Sequence, residues 1–171
     1  MRTQNLKARF FSAFNFLTLF KAICLAIALL GVNTAIAAPT KLVGTWKASI
    51  QLTDCTSGQG LAAPFFALAT YYSDGNVTEV PYNDPSTRTN SYGRWAKAGK
   101  NVFAASSQFG VFDVNGFYAG YQVLDRMITI ARDGKTYKIK SKTSRYGLSD
   151  ELMFTVCAAG TGKRLPEPEA F

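Results

Sequence analysis

The sequence predicts an all-β domain: an eight-stranded antiparallel up-and-down β-barrel behind a cleavable leader. Three observations predict it. Alternating apolar and polar runs follow one another along the chain, turns rich in Gly and Asp separate them, and no segment beyond residue 37 has convincing helical periodicity. A meander of eight strands avoids exposed edges by closing on itself. A two-sheet sandwich is the alternative that the same pattern allows.

The first strand lies in 42-LVGTWKASIQLTDC-55, where Trp46, Ala48, Ile50 and Leu52 share one parity and Thr45, Lys47, Ser49, Gln51 and Thr53 the other. That is a half-buried strand. Next comes 65-FFALATYY-72, apolar on both parities, and Asp74-Gly75 turns it into 77-VTEVPY-82. Asp-Gly between such runs predicts a tight hairpin with positive φ at both central residues. The polar stretch 83-NDPSTRTN-90 is the longest internal loop. After it, 91-SYGRWAK-97 turns at Gly99 into 102-VFAASSQFGVF-112, and 113-DVNG-116 turns that into 117-FYAGYQVL-124. Only Asp125 separates this run from 126-RMITIAR-132, so residues 117–132 read as one long strand that shifts parity at a bulge near Asp125. Asp133-Gly134 leads into 136-TYKIKSKTSRY-146, residues 147–151 turn the chain again, and 152-LMFTVCAA-159 is the last strand. The stretch GTGKRLPEPEAF, with Pro166 and Pro168, is expected to fray.

Residues 1–37 read as an export signal. Arg2, Lys7 and Arg9 make a basic start, residues 22–32 form a short apolar run, and Ala35-Ile36-Ala37 supplies small residues ahead of a cut before Ala38. Lys21 interrupts the apolar stretch, which is shorter than the roughly 20 residues a bilayer-spanning helix needs. The expected organisation is a signal over residues 1–37, a barrel over 38–165 and a flexible tail over 166–171, with a periodic run of strands and no integral span after cleavage. The site of action would be periplasmic or extracellular.

The whole chain carries nineteen basic and eleven acidic residues, a net charge of +8. Four of the basic residues and none of the acidic ones precede residue 38, so fifteen cations face eleven anions afterwards, a net +4. The basicity belongs partly to the leader, and no nucleic-acid partner is expected. Cys55 and Cys157 remain after cleavage, an even and minimal count that reads as one disulfide in an oxidising compartment. Both have the parity of the polar face of their strands. Strict eight-strand alternation, however, sets the end of the first strand and the end of the last at opposite rims, too far for a bond that needs Cα atoms within about 7 Å. Either Asp125 marks a strand break that makes nine elements, or the loop over residues 54–61 folds down the outside.

The chain has no histidine. That removes Ser-His-Asp and Cys-His catalysis and an imidazole acid–base near neutral pH. Two sulfurs alone do not make a zinc site, and no metal or cofactor is expected. Asp54, Asp74, Asp84, Asp113, Asp125 and Asp150 fall almost wholly in turns or, for Asp125, at the expected bulge, where that role explains them. Glu79 alone lies inside a strand, with the parity of Val77 and Pro81, and no carboxylate pair stands out.

Gly44-Thr45-Trp46 on the first strand of an eight-strand meander, after a signal, resembles the lipocalin and wider calycin pattern. The resemblance implies that Trp46 packs across one barrel end, that Gly44 lets the chain pass close beneath it, and that a late arginine covers the indole. Arg164 in 162-GKRL-165 is the residue that matches, with Arg145 the other candidate. The chain departs from the lipocalin pattern in having no helix before its last strand. Avidin-like, protease-inhibitor and allene-oxide-cyclase-like barrels share the same gross plan.

Parity places Trp46, Ile50, Phe65, Tyr71, Phe103, Phe109, Tyr121, Ile128, Tyr137 and Phe154 inside the barrel. An eight-stranded barrel is just wide enough to fill with side chains or to hold one small ligand. Ala48, Ala67, Ala69, Ala105, Ser107 and Ala119 share these parities, and such small residues either leave a cavity or match the taper. The resemblance implies a non-catalytic holder of a small apolar ligand. The alternatives are an interaction or inhibitor module with a filled barrel, and a cofactor-free isomerase or cyclase that uses the barrel mouth. Lys138, Lys140 and Lys142 alternate on one strand and read as a solvated outer face or as a weak contact for an anionic surface.

Overall fold

The structure, a computed structural model, describes residues 40–166. The expected signal, and the tail beyond Pro166, lie outside them. Eight strands follow one another: β1 (Gly44–Thr53), β2 (Phe65–Tyr71), β3 (Asn76–Pro81), β4 (Ser91–Gly99), β5 (Val102–Phe112), β6 (Tyr118–Ile130), β7 (Thr136–Tyr146) and β8 (Leu152–Arg164). Each pairs antiparallel with the next, and β8 pairs with β1, so the sheet closes into a barrel with no helix among the described residues.

The hairpins use a different device from the one expected. After β2, β5 and β6 positive φ falls on Gly75, Gly116 and Gly134 alone, and the Asp-Gly aspartates stay in ordinary space. The Gly75, Gly116 and Gly134 amides donate to the carbonyls of Tyr72, Asp113 and Ala131. This is a type I turn closed by a left-handed glycine, the longer relative of the two-residue hairpin. Asp74, Asp113 and Asp133 instead accept backbone amides two residues on, from Asn76, Asn115 and Lys135.

β6 runs without a break through Asp125, which pairs with Ser106 on one side and Lys142 on the other. Gly120, Leu124, Arg126, Ile128 and Ile130 are its buried residues, one unbroken parity. The bulge expected at Asp125 is therefore absent, and the register shifts fall at Lys97/Gly99, Gly110/Phe112 and Arg145/Tyr146. The expectation fails because it sets Tyr121 inward. It lies on the outer face and stacks on Tyr146 at 5.0 Å between centroids.

β8 is five residues longer than expected, because Gly160, Thr161, Gly162, Lys163 and Arg164 continue the ladder against β1 instead of fraying. This resolves the disulfide. Cys157 is not at the end of its strand but directly opposite Thr53, and Cys55–Cys157 forms with Cα atoms 4.9 Å apart. Eight elements suffice.

The core gathers Leu42, Trp46, Ile50, Tyr71, Val77, Phe103, Ile128, Ile130, Tyr137 and Ile139 with Ala48, Ala67, Ala69, Ala105 and Ala158. Ala48, Ala67 and Ala69 are essentially inaccessible: they make room for the large rings opposite, so the alternation of small and large residues serves filling.

The disulfide closes a loop of 102 residues, for which chain entropy alone gives about 4.7 kcal/mol. Replacing Cys55 and Cys157 together by Ala is expected to lower the unfolding free energy by about 2–5 kcal/mol, read from the denaturant midpoint at unchanged slope. A midpoint equal to that of the oxidised parent would show that the bond adds nothing to the fold.

Candidate functional site

Three regions carry chemistry: the end stoppered by Trp46, the polar middle of the barrel, and the opposite rim. Trp46 is 0% exposed. Its Nε1–H donates to Leu42 O at 2.9 Å, which satisfies the one polar atom that burial would leave unpaired. The Tyr137 ring lies 4.9 Å from it, and the Arg164 guanidinium sits 4.3 Å over the indole. Arg164 donates through Nε to Gly134 O at 3.1 Å, through Nη1 to Val43 O at 2.6 Å, and through Nη2 to Lys41 O. One fork thus ties the chain start and the β6–β7 turn to the indole. Gly44 has φ +126°, and a Cβ there would stand 2.5 Å from Arg164 Nη1, so both conformation and space require glycine. Arg145, the other candidate, lies elsewhere and donates to the carbonyls of Ala119, Tyr121 and Tyr146. Sequence reasoning missed Leu42 and Trp95. Trp95 donates to Tyr72 O at 2.9 Å and packs edge-on to Tyr71 and Phe103; its parity with buried Ser91 was the available signal.

The middle of the barrel is not purely apolar. Glu79 is 2% exposed, and Arg126 Nη2 reaches its Oε2 at 2.8 Å. Arg88 Nη2 stands 3.7 Å from Oε1. This group is not legible in the sequence, since the pair comes from β3 and β6 and the parity of Glu79 is uninformative. Tyr71, Tyr137, Ser91 and Ser107 are buried in the same interior. Burial first, and the Glu79 charge further on, hold the phenols of Tyr71 and Tyr137 above the usual tyrosine range. Burial works against the charge of Arg126, and Glu79 together with Tyr71 and Tyr137 more than offsets it, so that guanidinium is raised. Burial lowers Arg88 to about 10, with Glu79 opposing and Arg126 adding to the fall.

Arg88 arrives from the loop over residues 83–90, which is not a free surface loop. Thr89 N–H donates to Gly110 O and Phe112 N–H to Thr87 O, so the loop lies along β5 and Arg88 bridges to Val111. Its guanidinium sits 3.4 Å over the Phe109 ring. Between this plug and the core remains a cavity of about 30 Å³, lined by Ile50, Leu52, Phe65, Leu124, Ile139 and Ala158 with Glu79, Arg88, Arg126, Ser141 and Thr143.

Of the expected interior set, Trp46, Ile50, Tyr71, Phe103, Phe109, Ile128 and Tyr137 are buried, and Phe65 packs partly buried against the core. Phe154 is 51% exposed. It has the right parity, but β8 overshoots the rim there. Pairing of β8 with β1 stops at Cys157, so residues 152–156 have β7 on one side and no strand on the other. Leu152, Met153, Phe154 and Thr155 are all exposed, on both faces of the strand. Phe117, Tyr118 and Leu148 are exposed on the adjoining turns or strand ends.

The outer wall carries Lys138, Lys140 and Lys142, all exposed. Lys163 lies opposite Lys47, and Lys47 extends over the Phe66 ring at 5.0 Å. These features define a closed antiparallel up-and-down barrel with one end stoppered by an arginine-covered tryptophan and the other plugged by a loop arginine. The chain matches no family model, and no curated protein matches it.

Two outcomes follow. Arg164→Met is expected to cost about 2–4 kcal/mol, from the lost cation–π contact and the bonds to three carbonyls. Arg164→Lys should recover less than half, because one ammonium cannot fork to three acceptors; full rescue by Lys would reduce the site to simple charge. Tyrosine in an unfolded chain ionises near pH 10. Tyr71 and Tyr137 keep their protons higher, so their contribution to stability is complete below about pH 10 and lost as pH rises through their folded values. Tyrosinate absorbance should show at least two of the eight tyrosines titrating only as the barrel opens. A single smooth transition of all eight in the folded protein would contradict this.

Proposed function

We propose that this protein is an exported, non-catalytic, lipocalin-like barrel that works through its surface, as a protein-interaction or inhibitor module. The observation that carries this reading is the filled interior: a residual cavity of about 30 Å³, where ligand sites measure several hundred. Glu79 is paired with Arg126, which does not favour it as a free acid–base. The Cys55–Cys157 bond is in keeping with an oxidising compartment. The outer rows Thr45, Lys47, Ser49, Gln51 and Lys138, Lys140, Lys142 are polar, where a lipid-embedded barrel would carry an apolar band.

The far end of β8 offers a place that suits a partner. Residues 152–156 present unpaired backbone groups along β8 together with exposed Leu152, Met153 and Phe154. The occupant that suits it is an extended segment of another polypeptide with apolar residues at alternate positions, added as a strand. The disulfide at Cys157 fixes the root of that edge. A second reading, a holder of a small apolar ligand as the lipocalin resemblance implies, draws on the apolar wall of the cavity and on the loop plug at Arg88.

Selection of random displayed peptides against the folded protein is expected to enrich sequences alternating apolar and polar residues. Binding them should slow amide exchange in residues 152–156. Enrichment that protects another surface would overturn the β8 edge as the docking place, and saturable one-to-one uptake of a fluorescent fatty acid into the barrel would overturn the surface reading in favour of the enclosed ligand.

A further inference from the structure

The interior carries one carboxylate against two guanidinium groups. Glu79 is bound by Arg126 at 2.8 Å and approached by Arg88 at 3.7 Å. Arg145, the other buried cation, is engaged with backbone carbonyls at a separate position. The group around the cavity is therefore one positive charge in excess, inside walls made of Ile50, Leu52, Phe65, Leu124, Ile139 and Ala158. A buried charge without a counter-charge is costly.

Hydrogen bonding points the same way. Arg126 is 4% exposed; its Nη2 is engaged by the Glu79 carboxylate at 2.8 Å, while its Nη1 and the Nη2 of Arg88 have no hydrogen-bond acceptor among the described residues. Both side chains line the cavity, and Ser141 and Thr143 add hydroxyls to its wall. Guanidinium N–H groups only donate, and hydroxyls can turn to donate. Excess donors and excess positive charge meet at one small space.

We propose that this cavity is a binding site for a single monovalent anion of halide size, chloride being the simplest. A volume of about 30 Å³ exceeds the ~10–15 Å³ that one water-sized particle needs, which suits a monatomic ion. One negative charge neutralises the excess, and two would reverse it. Arg88 closes the site from the loop side, held over Phe109 at 3.4 Å, so the ion and the loop plug stabilise each other.

The test compares unfolding of the full exported chain in chloride, bromide and gluconate at equal ionic strength. Above the dissociation constant, each tenfold rise in chloride or bromide should add about 1.4 kcal/mol, the increment for one bound ion, and gluconate should add none. Arg88→Met, a change on a loop instead of a strand, should fold and lose the halide dependence. Anomalous scattering from bromide-grown crystals should place one peak between Arg88 and Arg126. Equal stability in all three salts, a halide effect that persists in Arg88→Met, or water alone in the cavity would each overturn the proposal. A bromide peak without the stability increment would mean an adventitious ion only, and would overturn it as well.

Discussion

Trp46 and Arg164 stand directly opposite each other across the seam where β1 meets β8, and the architecture depends on that contact. A meander closes only if its first and last strands find one another, and they are the two segments furthest apart in the chain. The seam pairs eight residues of β1 with eight of β8, but backbone bonding alone does not select the register. The indole under the guanidinium does. A slip by one residue would turn Trp46 out of the core and move Arg164 away from the carbonyls of Lys41, Val43 and Gly134.

Given that closure, the interior must hold whatever the inward parities supply. Most of it is aromatic and branched apolar side chains packed against alanines. The exception is the Glu79–Arg126 pair, whose members come from strands that are not neighbours in the sheet. A buried pair of this kind is weak evidence for stability, since packed apolar residues of the same volume serve as well. Its effect on shape is more definite. It ties β3 to β6 through the lumen, and with Arg88 it leaves the barrel with a polar, nearly filled centre.

Much of the fold was legible in the sequence because alternation in strands is a direct imprint of burial. Trp46, Ile50, Tyr71, Phe103 and Tyr137 were assigned to the interior by parity, and they are buried there. The failures have a common cause: parity is informative only where polar residues stay outside. In β6 the buried Arg126 and the half-buried, outward-facing Tyr121 invert the usual preference, and the strand reads as broken at Asp125. In β3 the buried Glu79 was set aside for the same reason. The end of β8 was missed because Gly160 and Gly162 lower strand propensity, while their neighbours across β7 are Ile139 and Tyr137, whose side chains need that space. The docking of residues 87–89 along β5 left no periodic signal at all.

The position of the cystine changes what closure requires of the chain. Cys55 lies two residues beyond Thr53, and Thr53 faces Cys157 at the inner end of the seam. Once the sulfurs are joined, β1 and the remainder of β8 leave the crosslink side by side, like the two arms of a hairpin whose turn is a covalent bond. The most distant pairing in the barrel then becomes a local one, able to zip from Thr53 towards Trp46 without a long search. Loop closure is what makes non-local sheets slow to form, so oxidation would convert the last and hardest step of the cylinder into one of its earliest.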